Sequence, residues 1–280
     1  ARIRKEEQRV LAELSDLVAQ DEPVLNSLVE ILLALDLALA RGRYGRWLGA
    51  VPPNLSEDPE APFLLRDLRH PLLIWQHKRS SGTPVVPISV DVSAQLRVVA
   101  ITGPNTGGKT VSLKSLGLAA LMARAGMLLP CSGQPSLPWC PQVLADIGDE
   151  QSLQQSLSTF SGHIKRIGRI LHALESGPAP ALVLLDEVGA GTDPSEGTAL
   201  ATALLKALAD RARLTIATTH FGELKALKYS DDRFENASVA FNAETLSPTY
   251  ELLWGIPGRS NALAIATRLG LDAGVLDQAQ

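Results

Sequence analysis

Positive charge is not in excess in this chain: 26 lysines and arginines stand against 30 aspartates and glutamates, for a net charge of −4. That balance gives no bulk attraction to nucleic acid or to an anionic membrane, although it leaves room for a local basic face. Cysteine is scarce too. Cys131 and Cys140 have neither zinc-site spacing nor the numbers of a disulfide framework, and they read as free thiols of a reducing, cytoplasmic compartment. No signal-peptide pattern is read. The longest apolar stretch, Val24 to Ala40, is interrupted by Asn26, Ser27, Glu30 and Asp36, which predicts an amphipathic helix and no membrane partner. Internal repeats and low-complexity tracts are absent from the sequence. What is there is globular composition, 45% apolar and 20% charged, over 280 residues that suffice for a large core.

The chain opens in mid-helix, without a capping residue, which is the expectation for a piece of a longer protein. Ile3, Val10, Leu14 and Leu17 lie near seven-residue spacing with charged residues between them. Asp21 is placed to cap a second helix with Pro23 in its first turn, ending at Gly42. Residues 1–62 are therefore expected to be a helical segment, either a hairpin on its own domain or the root of an arm, followed by a proline-rich linker. From residue 63 onward strands and helices alternate: strands at Val85–Val92, Leu96–Thr102, Val143–Ile147, Ala181–Leu185 and Leu214–Thr218, with helices between. Pro87 puts the first of these at an edge or a bulge. Two further strands, at Phe234–Phe241 and Thr249–Trp254, precede closing helices. This is the pattern of an α/β fold with a mainly parallel sheet covered on both faces.

Gly103, Pro104, Asn105, Thr106, Gly107, Gly108, Lys109 and Thr110 spell G-x-x-x-x-G-K-[ST]. A buried-type strand precedes the motif and a helix follows it, the context in which such a loop binds phosphate. The glycines let backbone N–H groups wrap the phosphates, and the helix N-terminus adds partial positive charge. Lys109 would reach the β- and γ-phosphates of ATP, and Thr110 would hold Mg²⁺. A second element has the same purpose. Leu182 to Leu185 are apolar and are followed by Asp186 and Glu187, so a strand delivers two carboxylates to the carboxyl edge of the sheet. Asp186 suits Mg²⁺ and Glu187 suits the attacking water.

An acid adjacent to the metal-binding aspartate resembles the arrangement of ABC-type ATPases. Gly189 to Pro194 resembles the loop that crosses between paired ATPase subunits, and equally suits a turn capping the next helix. His220, at the end of the strand Leu214–Thr218, stands in the order of motifs where such ATPases have a switch histidine for the γ-phosphate. The strand Val85–Val92 lies where ABC-type folds place residues beside adenine, which puts Ile88 forward as a base contact, against plain strand packing. His70 and His77 read as surface or structural, and His163 as a residue near a dimer face.

Three stretches carry a narrower resemblance. The loop with Pro104-Asn105 after its first glycine, the segment Ser158-Thr159-Phe160 opening a helix, and Tyr250 to Ala262 leading into the closing helices are similar to the MutS family. Asp146 to Leu153, Gln155 to Ser161, and Ser247 to Tyr250 resemble its second bacterial branch, which is not the mismatch-repair sensor. The resemblance implies a homodimer in which Ser158 of one copy meets the nucleotide of the other, and a helix-turn-helix over about 256–280 that serves dimer contact. It also implies ATP turned over to ADP, action on branched DNA or on ribosomes, and a nuclease domain beyond Gln280. The sequence leaves two readings open: an ATPase that drives a clamp, and an ATP-gated scaffold whose turnover is incidental. A chromosome-organising head would need a long inserted coiled coil and a glycine-rich signature, and the sequence has neither.

Overall fold

Two compact units divide the chain, Ala1–Trp47 and Leu48–Gln280. The computed structural model describes all residues except 1, 81–83, 104–107, 149–155, 243–246, 257, 259–266, 268–271, 273 and 276–280, and the side chains of 156–159, 241, 247 and 248. The first unit is formed by helices α1 (Arg2–Gln20) and α2 (Glu22–Leu48). The backbone at Asp21 joins them, its carbonyl accepting from the N–H of Leu25 at 2.9 Å, and Pro23 sits in the first turn of α2 as expected.

Two expectations for α2 are corrected. The helix passes through Gly42 and stops at Gly49, whose φ of 65° lies in the left-handed region. A glycine inside a helix costs only about 1 kcal/mol, too little to end a run of this length. Nor is α2 amphipathic in the expected sense. Leu25, Val29, Ile31, Leu33, Leu37 and Leu39 are all exposed, and their positions go around more than one face. Among the described residues this is one helix long and apolar enough to cross a membrane, by length and composition only. A helix apolar on several faces is ordinarily covered by something.

The second unit contains, in chain order, β1 (Asn54–Ser56), β2 (Phe63–Leu68), α3 (Pro71–Ser80), β3 (Ile88–Val92), β4 (Val98–Thr102), α4 (Lys109–Arg124), β5 (Ser132–Pro138) and β6 (Gln142–Asp146). It continues with α5 (Ser156–Ser176), β7 (Ala181–Leu185), α6 (Pro194–Arg211), β8 (Leu214–Thr218), a 3₁₀ helix (Gly222–Tyr229), β9 (Phe234–Asn242) and β10 (Ser247–Trp254). Six strands form one sheet in the order β10-β9-β4-β8-β7-β6. All its neighbours pair in parallel except β9 with β10. The sheet is mainly parallel, as expected.

The strand alternation decides the layers. In β7, Leu182 and Leu184 turn to the face where Leu113, Leu116 and Ala120 of α4 pack. Val183 and Leu185 turn to the opposite face, among Leu204, Leu205 and Leu208 of α6 and Ile170 of α5. Both faces are thus covered, which is why β4, β7 and β8 are buried along their whole length and mostly apolar, with threonines as their polar residues. Gly117 lets α4 lie directly on β7, since a Cβ there would stand 2.5 Å from Leu184 Cδ1.

A second sheet, in the order β1-β5-β2-β3, was not read from the sequence, and it takes the strand expected at Val85–Val92. That strand begins at Ile88, just past Pro87, and lies at the edge of this small sheet. Arg213 joins the two sheets. It is 3% exposed, donates to the carbonyls of Ala61 and Leu96 at 2.9 Å, and places its guanidinium over the ring of Phe63. Burial lowers its pKa from the ordinary arginine value, with Arg97 adding in the same direction.

Both cysteines are buried and free. Burial pushes the Cys131 thiol up to about 12 and the Cys140 thiol to about 11. Thiolate is the reactive form, so neither should react with a thiol reagent at pH 8 in the folded protein, while both should react in denaturant. Rapid labelling of the native protein would contradict this burial.

Candidate active site

Strand β4 runs into the glycine loop, and α4 starts as the loop ends. Gly108, in the left-handed region with φ 89°, is the residue from which the helix begins. A Cβ at Gly108 would lie 2.9 Å from Cδ1 of Tyr250, so neither the conformation nor the space admits a larger residue. Its carbonyl accepts from the N–H and the hydroxyl of Ser112, which fixes the first turn. Lys109 is 2% exposed and donates from Nζ to the carbonyl of Gly103 at 2.7 Å. Its stem is packed and its head stays within the loop. Thr110 follows in the first turn of α4, half-buried. Pro104, Asn105, Thr106 and Gly107 lie outside the described residues.

Backbone hydrogen bonds join four strand ends, one to the next. The N–H of Thr219, beyond β8, donates to the carbonyl of Ile101 in β4. The N–H of Val188, beyond β7, donates to Thr218 of β8, and the N–H of Asp186 to Asp146 of β6. Asp186 and Glu187 therefore stand on the same edge as the glycine loop. Glu187 has φ 52°, a left-handed conformation uncommon outside glycine. Its N–H donates to Thr218 Oγ1 at 2.8 Å, and the same hydroxyl donates to Asp186 Oδ1 at 2.5 Å. The carboxylate of Glu187 lies 3.1 Å from Nε2 of His220. Three of the residues expected from the sequence are thus in one hydrogen-bonded group, with Thr218 at its centre.

A second polar group, not anticipated, adjoins it. Asp146 is buried at the end of β6, and its carboxylate accepts from Nε of Arg166 and meets Nδ1 of His163 at 2.7 Å. Both partners are on α5, the helix that Ser156 and Ser158 open. Phe160 and His163 of α5 line one depression with Asp186 and Glu187. The loop after Glu187 passes the same helix, since a Cβ on Gly191 would approach Phe160 Cβ to 3.4 Å. That loop also ends in a cap: Asp193 accepts from the N–H groups of Ser195 and Glu196 at the start of α6.

Other expected residues are not part of these two groups. Ile88 is 7% exposed and packed in the core at the start of β3. The side chain of Ser158 lies outside the described residues, as does most of the segment expected to form a helix-turn-helix. Gly258 is described. Its N–H donates to Thr102 Oγ1 at 2.8 Å and its carbonyl accepts from Lys225, so Gly258 lies at the end of β4. His70 is structural, its Nδ1 accepting from the N–H of Leu72 at the start of α3.

A strand, a glycine loop with a buried lysine, a helix, and a neighbouring strand ending in two acids define a nucleotide-binding domain of the P-loop ATPase type. The family described as MutS domain V matches residues 99–280, and the chain belongs to the MutS family, in its second bacterial branch. Relatives of that branch carry the name Endonuclease MutS2. The one from Synechocystis is 60% identical over 98% of this chain and 35% of its own length. The one from Symbiobacterium thermophilum is 48% identical over 99% of this chain and 33% of its own, and the one from Shouchella clausii 46% over 100% and 34%. The chain spans about a third of the length of these relatives.

Asp146 joins α5 to β6, and removing it would take a hydrogen-bonding partner from both Arg166 and His163. Asp146→Ala is expected to lower unfolding stability by about 2 kcal/mol, the scale of hydrogen bonds to a charged group. Urea unfolding measures this, and an unchanged midpoint would contradict it.

Proposed function

We propose that this chain is the ATPase module of a MutS-type clamp, hydrolysing ATP to ADP with Mg²⁺ and using that cycle to close and open a homodimer. The observation that carries the reading is the gathering of Lys109, Asp186, Glu187 and His220 at strand and helix ends along one edge of one sheet. The glycine loop, Gly103 to Thr110, wraps the phosphates, and Lys109 exchanges the carbonyl of Gly103 for the β- and γ-phosphates. The Thr110 hydroxyl and the Asp186 carboxylate are hard oxygen donors, and that donor set fits Mg²⁺. When bound, Mg²⁺ neutralises charge developing on the phosphates. Glu187 orients the attacking water and accepts its proton.

Glu187 and His220 are hydrogen-bonded to each other. In the proposed cycle His220 gives up Glu187 for the γ-phosphate, so that nucleotide both fills the site and frees its base. Ser158 reaches the γ-phosphate of a second copy from the start of α5. Asp146, through Arg166 and His163, links that helix to the strand edge holding the acids. The exposed apolar surface of α2 suits an arm that packs against further parts of a longer protein. Those parts would grip branched DNA or a ribosome in the cytoplasm, and would carry the nuclease that the relatives' name refers to. The Glu187–His220 contact also suits a second reading, in which ATP sets the dimer state and hydrolysis is incidental.

Glu187→Gln separates these. The clamp reading expects ATP hydrolysis to fall by about 100-fold or more, with ATP affinity changed less than about threefold, because base catalysis is lost and phosphate binding kept. It also expects the variant to stay on its nucleic-acid partner in ATP. Release at the parent's rate would favour the scaffold, and hydrolysis at the parent's rate would remove Glu187 from the mechanism.

A further inference from the structure

The end of β8 holds a buried hydroxyl that belongs to none of the recognised motif positions. Thr218 is fully buried, and it makes three hydrogen bonds to three consecutive residues of the neighbouring strand end. Its Oγ1 donates to Asp186 Oδ1 at 2.5 Å and accepts from the Glu187 N–H at 2.8 Å, and its carbonyl accepts from the Val188 N–H at 2.9 Å. A hydroxyl has one proton to give and lone pairs to receive, so both side-chain bonds exist at once. The β-branched side chain of threonine restricts χ1 and keeps that oxygen in place on a strand.

We propose that Thr218 is a positioning residue for ATP hydrolysis, setting the metal-binding carboxylate and the water-directing carboxylate with one hydroxyl. The inference rests on the ATPase reading above and adds to it a residue that touches neither nucleotide nor metal. Two observations support a role beyond packing. Glu187 has φ 52°, a conformation that costs a non-glycine residue on the order of 1 kcal/mol and persists only where its surroundings enforce it. The N–H of that strained residue is the one that Thr218 Oγ1 receives. The same oxygen also fixes the rotation of the Asp186 carboxylate through Oδ1, leaving Oδ2 as a donor for the metal. Valine in place of Thr218 would keep the shape and the carbonyl bond to Val188. It would lose both side-chain bonds, the one received from the Glu187 N–H and the one given to Asp186 Oδ1. The two carboxylates would then no longer be set together. Phosphate binding by the loop of Gly103 to Thr110, which hangs on β4, would be unaffected.

The test compares the intact parent protein with Thr218→Val, Thr218→Ser and Glu187→Gln, measuring steady-state ATP hydrolysis against ATP and against Mg²⁺. Thr218→Val is expected to lose about 30-fold in kcat, the factor for a charge-assisted hydrogen bond of about 2 kcal/mol. Its KM for ATP should change less than about threefold, and its half-saturating Mg²⁺ should rise by about fivefold. Thr218→Ser, which keeps the hydroxyl, should recover kcat to within about threefold of the parent. A purely structural role would lower the unfolding midpoint without that division between kcat, KM and Mg²⁺. Should Thr218→Val fail to fold, Thr218→Ala replaces it in the same comparison. A hydroxyl-less variant with kcat within about twofold of the parent, or no recovery with serine, would overturn the inference. A parent that does not hydrolyse ATP at all would instead remove the ATPase reading, so the two failures are told apart.

Discussion

The pairing of β8 between β4 and β7 is the constraint on which the site depends. All three strands run parallel, so their carboxyl ends meet on one edge. β4 brings the glycine loop to that edge, β7 brings Asp186 and Glu187, and β8 brings Thr218 and His220. No side-chain contact could gather these groups if one of the strands ran the other way, because its end would lie about 16 Å off, the length of a five-residue strand. The hydrogen bonds that continue past the ends, from Thr219 to Ile101 and from Val188 to Thr218, carry the ladder into the site itself. The buried faces of these strands, packed by α4 on one side and by α5 and α6 on the other, give the edge its rigidity.

The acids at this edge each meet a base or a hydroxyl. Glu187 meets His220, Asp186 meets Thr218, Asp146 meets Arg166 and His163, and Lys109 meets a loop carbonyl. A buried carboxylate or ammonium without a partner would be costly, and these contacts remove that cost. In the proposed cycle ATP with Mg²⁺ would exchange several of them at once. That exchange would be a physical route from nucleotide binding to movement: Asp146 ties α5 to the same edge, and α5 begins with the residues expected to face a second copy.

Much of this was legible in the sequence, for a reason that also explains the gaps. β7 and β8 were read with their observed ends because a strand covered on both faces is a nearly continuous run of apolar and β-branched residues. The glycine loop, Asp186, Glu187 and His220 were read because their order follows strand ends. The small sheet was not legible: β1 and β5 mix polar residues, Gly133 and Pro135 with few apolar ones, and β1 pairs with residues 82 positions further along the chain. The reading of α2 failed at both points where it relied on single residues, since Gly42 does not break it and a few polar positions do not confine its leucines to one face. Thr218 escaped notice because a threonine at the end of an apolar strand is ordinary in sequence, and only the register with β7 puts its hydroxyl between two acids. Asp146 was hidden in the same way.

In the proposed cycle Glu187 is held by His220 until nucleotide releases it at a site completed by Asp186 and the glycine loop. A structure of the intact protein with Mg²⁺ and a non-hydrolysable ATP analogue tests this most directly. The account predicts the analogue's phosphates in the loop Gly103 to Thr110, the metal held by Thr110 and Asp186, and His220 turned from Glu187 to the γ-phosphate. A nucleotide bound elsewhere, or one bound in the loop with Glu187 and His220 still joined, would contradict it.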